Sequence, residues 1–313
     1  VPDLSNFSGK DIDRSLLCGH AGLLCAKLML SRAAMSARVE QFHDIPPQSR
    51  IVSEYLAILD AALESDSDEW LYGRAGYLHG LLLIRHASDT PQSVDDAIDK
   101  VVRRMISSGT SYARRCKSHA SLMYQWYGGE YLGAAHGLFG ILQQLLLARP
   151  VLELKWSQKE LADFDETVRG SLDYLHNQRI KSSGNYPPCR GHRDDNLVHF
   201  CHGAPGAVLT FLSAHRTYSS TATNDHKYLS MAHDAAECVW RYGLLHKGPG
   251  LCHGIAGNAY CFLALQRDDP TNNKWIFHAA FMASFMSTLP QDKEWLLRPD
   301  HPISLFLFYF WQN

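Results

Sequence analysis

Two short stretches of the chain carry side chains able to hold a soft metal ion. His199-Phe-Cys-His-Gly-Ala-Pro-Gly206 places Cys201 and His202 just ahead of a Gly-x-x-Gly turn, and Gly250-Leu-Cys-His-Gly-Ile-Ala-Gly-Asn258 places Cys252 and His253 ahead of another. A hydrophobic run follows each. Two thiolates and an imidazole form a donor set that zinc prefers, and three protein ligands leave its fourth position open for chemistry. The pattern predicts a zinc enzyme with Cys201 and Cys252 as ligands. His202 and His253 compete for the third place, since each directly follows a cysteine, and spacing does not choose between them. The plainer alternative is a pair of buried cysteines with a helix-capping histidine. Matched words on consecutive repeats weigh against it.

Other residues of chemical interest stand at similar turns. His136 precedes Gly137-Leu-Phe-Gly140, so it is expected at the same rim, where an imidazole suits proton transfer. Its plainer role is a polar residue at a helix start. Lys247, just before the second Cys-His word, is placed to meet a carboxylate of an anionic ligand, although a lone lysine is more often simply solvated. Arg74 is expected to bond carbonyls of its own turn, and His20 and His79 to be structural. Cys189 sits in a Pro-Pro-Cys loop with nothing nearby to lower its pKa. A glycosidase would need paired carboxylates, and only Glu130 lies close to the rim words. A prenyltransferase-like zinc site would add an aspartate, for which Asp194 and Asp195 are the candidates.

These residues need elements to position them. The Gly-x-x-Gly turn recurs from Gly19, Gly73, Gly137, Gly203 and Gly254, at intervals of roughly fifty to sixty-five residues. Each copy leads into an apolar stretch (23–30, 77–84, 141–147, 207–212 and 259–265) with too little polar surface for an outer helix. Amphipathic segments lie between them, at 51–63, 93–106, 161–175, 228–242 and 275–289. In 93–106, Val94, Ala97, Ile98, Val101, Val102, Met105 and Ile106 form one stripe, with Asp95, Asp96, Asp99, Lys100, Arg103 and Arg104 opposite. Each repeat therefore predicts a buried inner helix and an amphipathic outer one. The expected fold class is all-α, an α/α toroid of inner and outer helix rings with Gly-x-x-Gly turns, over 1–313 as a single domain. Glycines at the starts of the inner helices let the chain turn tightly and let neighbouring helices approach. Longer loops at 112–131 and 181–199 are expected to cover the rim.

Composition narrows the classes. The chain has 313 residues, 46% hydrophobic and 20% charged, enough to bury a sizeable core. A formal net charge of -2 excludes a general nucleic-acid binder, which needs a basic face. No uninterrupted apolar run is long enough to cross a bilayer, and the polar opening of the chain does not read as a signal peptide. Eight cysteines are scattered rather than dense, which points to a reducing compartment and a cytoplasmic protein. The sequence leaves peripheral membrane association open.

The chain resembles the eukaryotic LanC-like proteins, relatives of the bacterial lanthionine cyclases. The resemblance is carried by Leu71-Tyr-Gly-Arg-Ala-Gly-Tyr77, Leu122-Met-Tyr-Gln-Trp-Tyr127, Glu130-Tyr-Leu-Gly-Ala-Ala-His-Gly137, Gly184-Asn-Tyr-Pro-Pro-Cys189 and the two Cys-His-Gly words, in the family's order from Cys18 to Phe306. It implies a seven-hairpin α/α toroid and a zinc ion held by Cys201, Cys252 and His253. It also implies His136 as the acid/base residue and Lys247 as a contact to glutathione. The activity implied is addition of glutathione's thiol to dehydrated serine or threonine residues, dehydroalanine and dehydrobutyrine, in proteins. The alternative is a non-catalytic scaffold that binds glutathione and zinc. Arg298, slightly displaced from the family's substrate-binding arginine, is a further expected substrate contact. Set against seven hairpins, the first is missing before Val1 and the last is cut short after Phe306, so an incomplete ring is expected.

Overall fold

The computed structural model describes residues 14–17, 19–37, 46–87, 91–219 and 226–288. These form the helices α1 (His20–Ala37), α2 (Gln48–Leu56), α3 (Leu59–Leu63), α4 (Arg74–Ala87), α5 (Pro91–Arg115), α6 (Leu138–Leu152), α7 (Gln158–Asn177), α8 (Ala204–Tyr218), α9 (Lys227–Tyr242), α10 (Ile255–Asp268) and α11 (Lys274–Ser287). Among the described residues there is no strand, only isolated bridges pairing Trp126 with Gly129 and Tyr131 with Cys189. No described helix is long and apolar enough to cross a membrane.

The five repeated turns share one construction. Helices α1, α4, α6, α8 and α10 each begin directly after the first glycine of a Gly-x-x-Gly word. In three of them the first helical N–H donates to a carbonyl seven residues upstream: Arg74 to Ser67 at 3.1 Å, Leu138 to Tyr131 at 3.1 Å and Ile255 to Gly248 at 3.0 Å. One donor that a helix start would otherwise orphan is thereby satisfied by the incoming chain. That incoming chain passes so close that the second glycine has no room for a side chain. A Cβ at Gly76 would lie 2.1 Å from the Trp70 carbonyl oxygen, and one at Gly257 would lie 1.8 Å from that of Leu251. The glycines were expected to allow a tight turn and the approach of neighbouring helices. The tight turn is their main service, and at Gly206 a Cβ would also meet the Ala134 side chain at 2.6 Å.

The described chain divides into two compact units. One comprises Pro2–Tyr124 and Leu147–Val168, the other Gln125–Leu146 and Arg169–Asn313. In the first unit, α1 packs on α2 and α4, and α4 packs on α5. Tyr55 and Tyr77 stack with centroids 4.8 Å apart, and each hydroxyl donates to the other's backbone carbonyl at 2.9 Å. Of the expected stripe, Val94, Ala97, Ile98, Val101, Val102 and Met105 are buried, and Ile106 is half-buried. Asp95, expected on the wet face, is buried as well. It is tolerated there because Arg85 reaches it at 2.5 Å. Helix α5 also runs to Arg115, so the loop expected from 112 begins later.

In the second unit, α8 packs on α9 and α10, and α10 on α11. Tyr228, Met231, Ala235, Cys238 and Val239 of α9 are buried as their spacing predicts, whereas Tyr242 at the helix end is exposed. Helix α11 is apolar on more than one side. It buries Trp275, His278, Ala279 and Met282 and exposes Phe277, Phe281 and Phe285. All described cysteines are free thiols.

Candidate functional site

The rim of the second unit is assembled from three turns around 131–137, 199–203 and 250–254. Backbone bonds tie them together. The Cys201 N–H donates to the Cys252 carbonyl at 3.1 Å, and the Ala135 N–H to the Cys201 carbonyl at 3.4 Å. The first and second turns meet at Gly133, where a Cβ would stand 2.0 Å from the Cys201 carbonyl oxygen. Two asparagines fasten the loops. Asn258, fully buried at the start of α10, donates through Nδ2 to the Val198 carbonyl at 3.0 Å and the Gly243 carbonyl at 2.9 Å. Asn185 donates to the Leu197 carbonyl at 3.1 Å and accepts the first N–H of α8, from Ala204, at 2.8 Å. Gly203 between them has φ 118°, a conformation that L side chains rarely adopt.

This framework brings the sulfurs of Cys201 and Cys252 and a ring nitrogen of His253 within 4.8 Å of one another. Among the described residues no other three His, Cys, Asp or Glu side chains converge in this way. Both cysteines are buried and His253 is partly exposed. A hydrogen bond from the Cys252 thiol holds Cys201 well below the usual thiol range; burial opposes this, and His199 and His253 add to it. The same contact, with burial, pushes Cys252 up, while Lys247 pulls the other way. Two sulfurs and an imidazole nitrogen, with no carboxylate among them, suit zinc and not magnesium or calcium. The residues present fit that ion.

His202, the other histidine behind a cysteine, points elsewhere. Its ring lies 5.8 Å from Tyr131 and 6.1 Å from His136, and burial pushes its pKa down. His136 itself is stacked on Trp126, with centroids 4.0 Å apart and planes 4° from parallel. Lys247 is exposed, and its charge reaches Cys252. Arg298 lies outside the described residues. Glu130, the carboxylate that glycosidase chemistry would have needed, pairs with Arg190 at 2.9 Å. Asp195 accepts from Ser183 and Asp194 from Asn196, and neither enters the ligand group. Burial raises the Cys189 thiol pKa, which makes it a poor nucleophile.

Three residues escaped the sequence reading. His199, buried to 3% exposure, hydrogen-bonds Cys201. Its position within the same word was a signal, but its role depends on the chain doubling back, as the His199 N–H donates to the His202 carbonyl at 3.0 Å. Trp126 reaches the site from outside the Cys-His words and Asn258 closes the second of them, and spacing gives no sign of either role.

Comparison with known proteins agrees with this architecture. A family model described as Lanthionine synthetase C-like protein matches residues 4–307. Glutathione S-transferase LANCL1 of Danio rerio is 37% identical over 302 residues, which cover 93% of this chain and 67% of the zebrafish protein. Among solved structures, nisin cyclase aligns with a TM-score of 0.62 at 15% identity, over 90% of this chain and 70% of that one. This likeness shows the fold class expected from the repeats, an α/α toroid of the lanthionine-cyclase kind.

Proposed function

Because the chain belongs to the lanthionine synthetase C-like family, we propose that it is a zinc-dependent enzyme that adds the thiol of glutathione to dehydroalanine or dehydrobutyrine residues of proteins. The observation that carries this reading is the convergence of Cys201, Cys252 and His253 within 4.8 Å. The name of the zebrafish relative, a glutathione S-transferase, supports glutathione as the thiol donor. Zinc held by these three residues would supply thiol activation, since a coordinated thiol gives up its proton at neutral pH.

The chain's own residues would do the rest. Cys201, Cys252 and His253 hold the ion, while His199 orients Cys201 and Asn258 fastens the turn before it. Lys247, exposed beside the second Cys-His word, binds a carboxylate of the tripeptide. Arg298 is a second cationic contact. When the sulfur bonds to the β-carbon of the acceptor, the alkene's electron pair moves toward the carbonyl, and the enolate needs a proton at the α-carbon. His136 delivers it, with its ring plane set by the Trp126 stack. We propose that it acts in the cytoplasm, where thiols are kept reduced.

The test is metal content followed by turnover. Purified wild type should hold about one zinc per chain, and Cys252→Ala none. Mass spectrometry of a dehydroalanine peptide incubated with glutathione should show the thioether adduct with wild type alone. A folded wild type that binds no zinc would overturn the reading. A zinc-loaded wild type that binds glutathione without forming adduct would leave a scaffold in its place.

A further inference from the structure

The segment between α5 and α6 contains a strained turn that thiol activation does not use. Trp126 and Gly129 exchange backbone hydrogen bonds, each 2.9 Å long. They enclose Tyr127 at φ 44° and Gly128 at φ 79°. Two consecutive positive φ values make the tight hairpin turn whose favoured pair is asparagine followed by glycine. A tyrosine in the first place is strained, and packing does little to offset it, because Tyr127 is 63% exposed. An exposed aromatic ring held at a conformational cost calls for a reason outside the fold.

The rings this turn gathers supply one. Tyr127 meets Trp126 edge-on, with centroids 4.7 Å apart and planes at 87°. Trp126 lies parallel to His136 at 4.0 Å, and Tyr131 stands 5.7 Å from Trp126 and 5.8 Å from His202. Gly129 makes the space for Tyr131, whose ring would be 2.7 Å from a Cβ there. The neighbouring carboxylate, Glu130, is neutralised by Arg190 at 2.9 Å. A wall of aromatic faces therefore runs from exposed Tyr127, past His136, to the residue next to Cys201.

Glutathione, anionic and non-aromatic, is matched by cations and not by this wall. The other reactant is matched. A dehydroamino-acid residue is a flat conjugated enamide, which can stack on an aromatic face, and its α-carbon must come to rest beside the proton donor. We propose that the turn around 126–131 recognises the dehydrated acceptor segment, with Tyr127 setting acceptor affinity and Trp126 acting as the positioning residue for His136. This rests on the thiol-addition reading for the identity of the acceptor, but it makes a separate claim about binding.

The experiment uses the full zinc-loaded chain without glutathione and a fluorescent peptide carrying one dehydroalanine, with its alanine counterpart as control. Tyr127→Gly is the informative variant, because glycine suits the positive φ and the turn is retained. Wild type should prefer the dehydroalanine peptide, and Tyr127→Gly should weaken that binding about tenfold while leaving glutathione affinity and thermal midpoint undiminished. Trp126→Leu should lower kcat as well as acceptor affinity, since it also frees His136. Equal binding of the two peptides by wild type, or unchanged acceptor affinity in Tyr127→Gly, would overturn the proposal. Acceptor binding that depends on Tyr127, with no adduct formed when glutathione is added, would sustain it and refute the catalytic reading instead.

Discussion

The turn at Gly73 and the turn at Gly254 share a backbone and use their side chains in opposite ways. Each sends its first helical N–H to the carbonyl seven residues upstream, at 3.1 Å from Arg74 and 3.0 Å from Ile255. Around Gly73 the polar side chains close on themselves. Arg74 donates to both carboxylate oxygens of Asp68, at 2.6 and 3.1 Å, and to the carbonyls of Leu63 and Ser65. The Glu69 carboxylate accepts the backbone N–H groups of Leu71, Tyr72 and Gly73. Around Gly254 the Asn258 side chain fastens the backbone, and Cys252 and His253 converge with Cys201. The repeat is thus a backbone device, and its flanking side chains can be assigned to stability in one copy and to chemistry in another.

Substitutions on the two sides should separate these uses. The largest effect is expected from Cys252→Ala, which removes one of the three converging side chains proposed to hold zinc. Metal affinity should fall by more than about a hundredfold, beyond what losing a supporting hydrogen-bond partner costs, as read by competition with a chromogenic chelator. Urea unfolding of the metal-free protein should barely change. Arg74→Met should do the reverse. It strands Asp68, 3% exposed at the side chain, without its partner. Unfolding free energy should drop by about 3–5 kcal/mol, with zinc per folded chain unchanged. Loss of zinc in step with loss of Arg74 would show that the first turn serves the site after all.

A smaller effect is expected at the boundary between the two uses. His199 supports Cys201 and lies outside the ligand group. His199→Phe should lower zinc affinity by roughly ten- to a hundredfold and leave the metal stoichiometry intact. A full loss of stoichiometry would make His199 a ligand.

The smallest effect is on acid stability and belongs to the second unit. Burial is the main cause pushing His176, His215, His233 and His278 below the ordinary imidazole value. Above about pH 6.5 these side chains are neutral in folded and unfolded chains alike, so their environment costs nothing there. Below it the unfolded chain takes up protons that the folded chain resists, and stability falls with pH. His278, stacked on Trp240 at 3.7 Å, is the one to replace. His278→Phe should shrink the difference between urea midpoints at pH 7.5 and 5.5. An unaltered difference would assign the acid sensitivity elsewhere.

Much of this was legible in the residues. The five helix starts follow from glycine placement, because a second glycine whose Cβ would stand 1.7 to 2.6 Å from a carbonyl oxygen tolerates no other residue. The stripe from Val94 to Met105 follows from helical spacing, and Asp95 departs from it only because a partner arrives from α4. Arg74 is structural, as its place inside a turn suggested. The aromatic stack on His136 was not legible. It depends on a turn whose first residue, Tyr127, has the wrong local preference for it.

The division between sequence and tertiary structure falls within the site itself. Repetition of one word by itself marked Cys201 and Cys252 as a pair, because two residues at equivalent places on successive repeats come out on the same rim. Residue types alone also marked the pair as soft donors. The choice between His202 and His253 was different. Both follow a cysteine and both precede a glycine, so local geometry offers the same options to each. Only the packed turns distinguish them: with Cys201 tied to Cys252 through its own N–H, the His253 imidazole converges with the two sulfurs, and the His202 ring lies beside Tyr131 and His136.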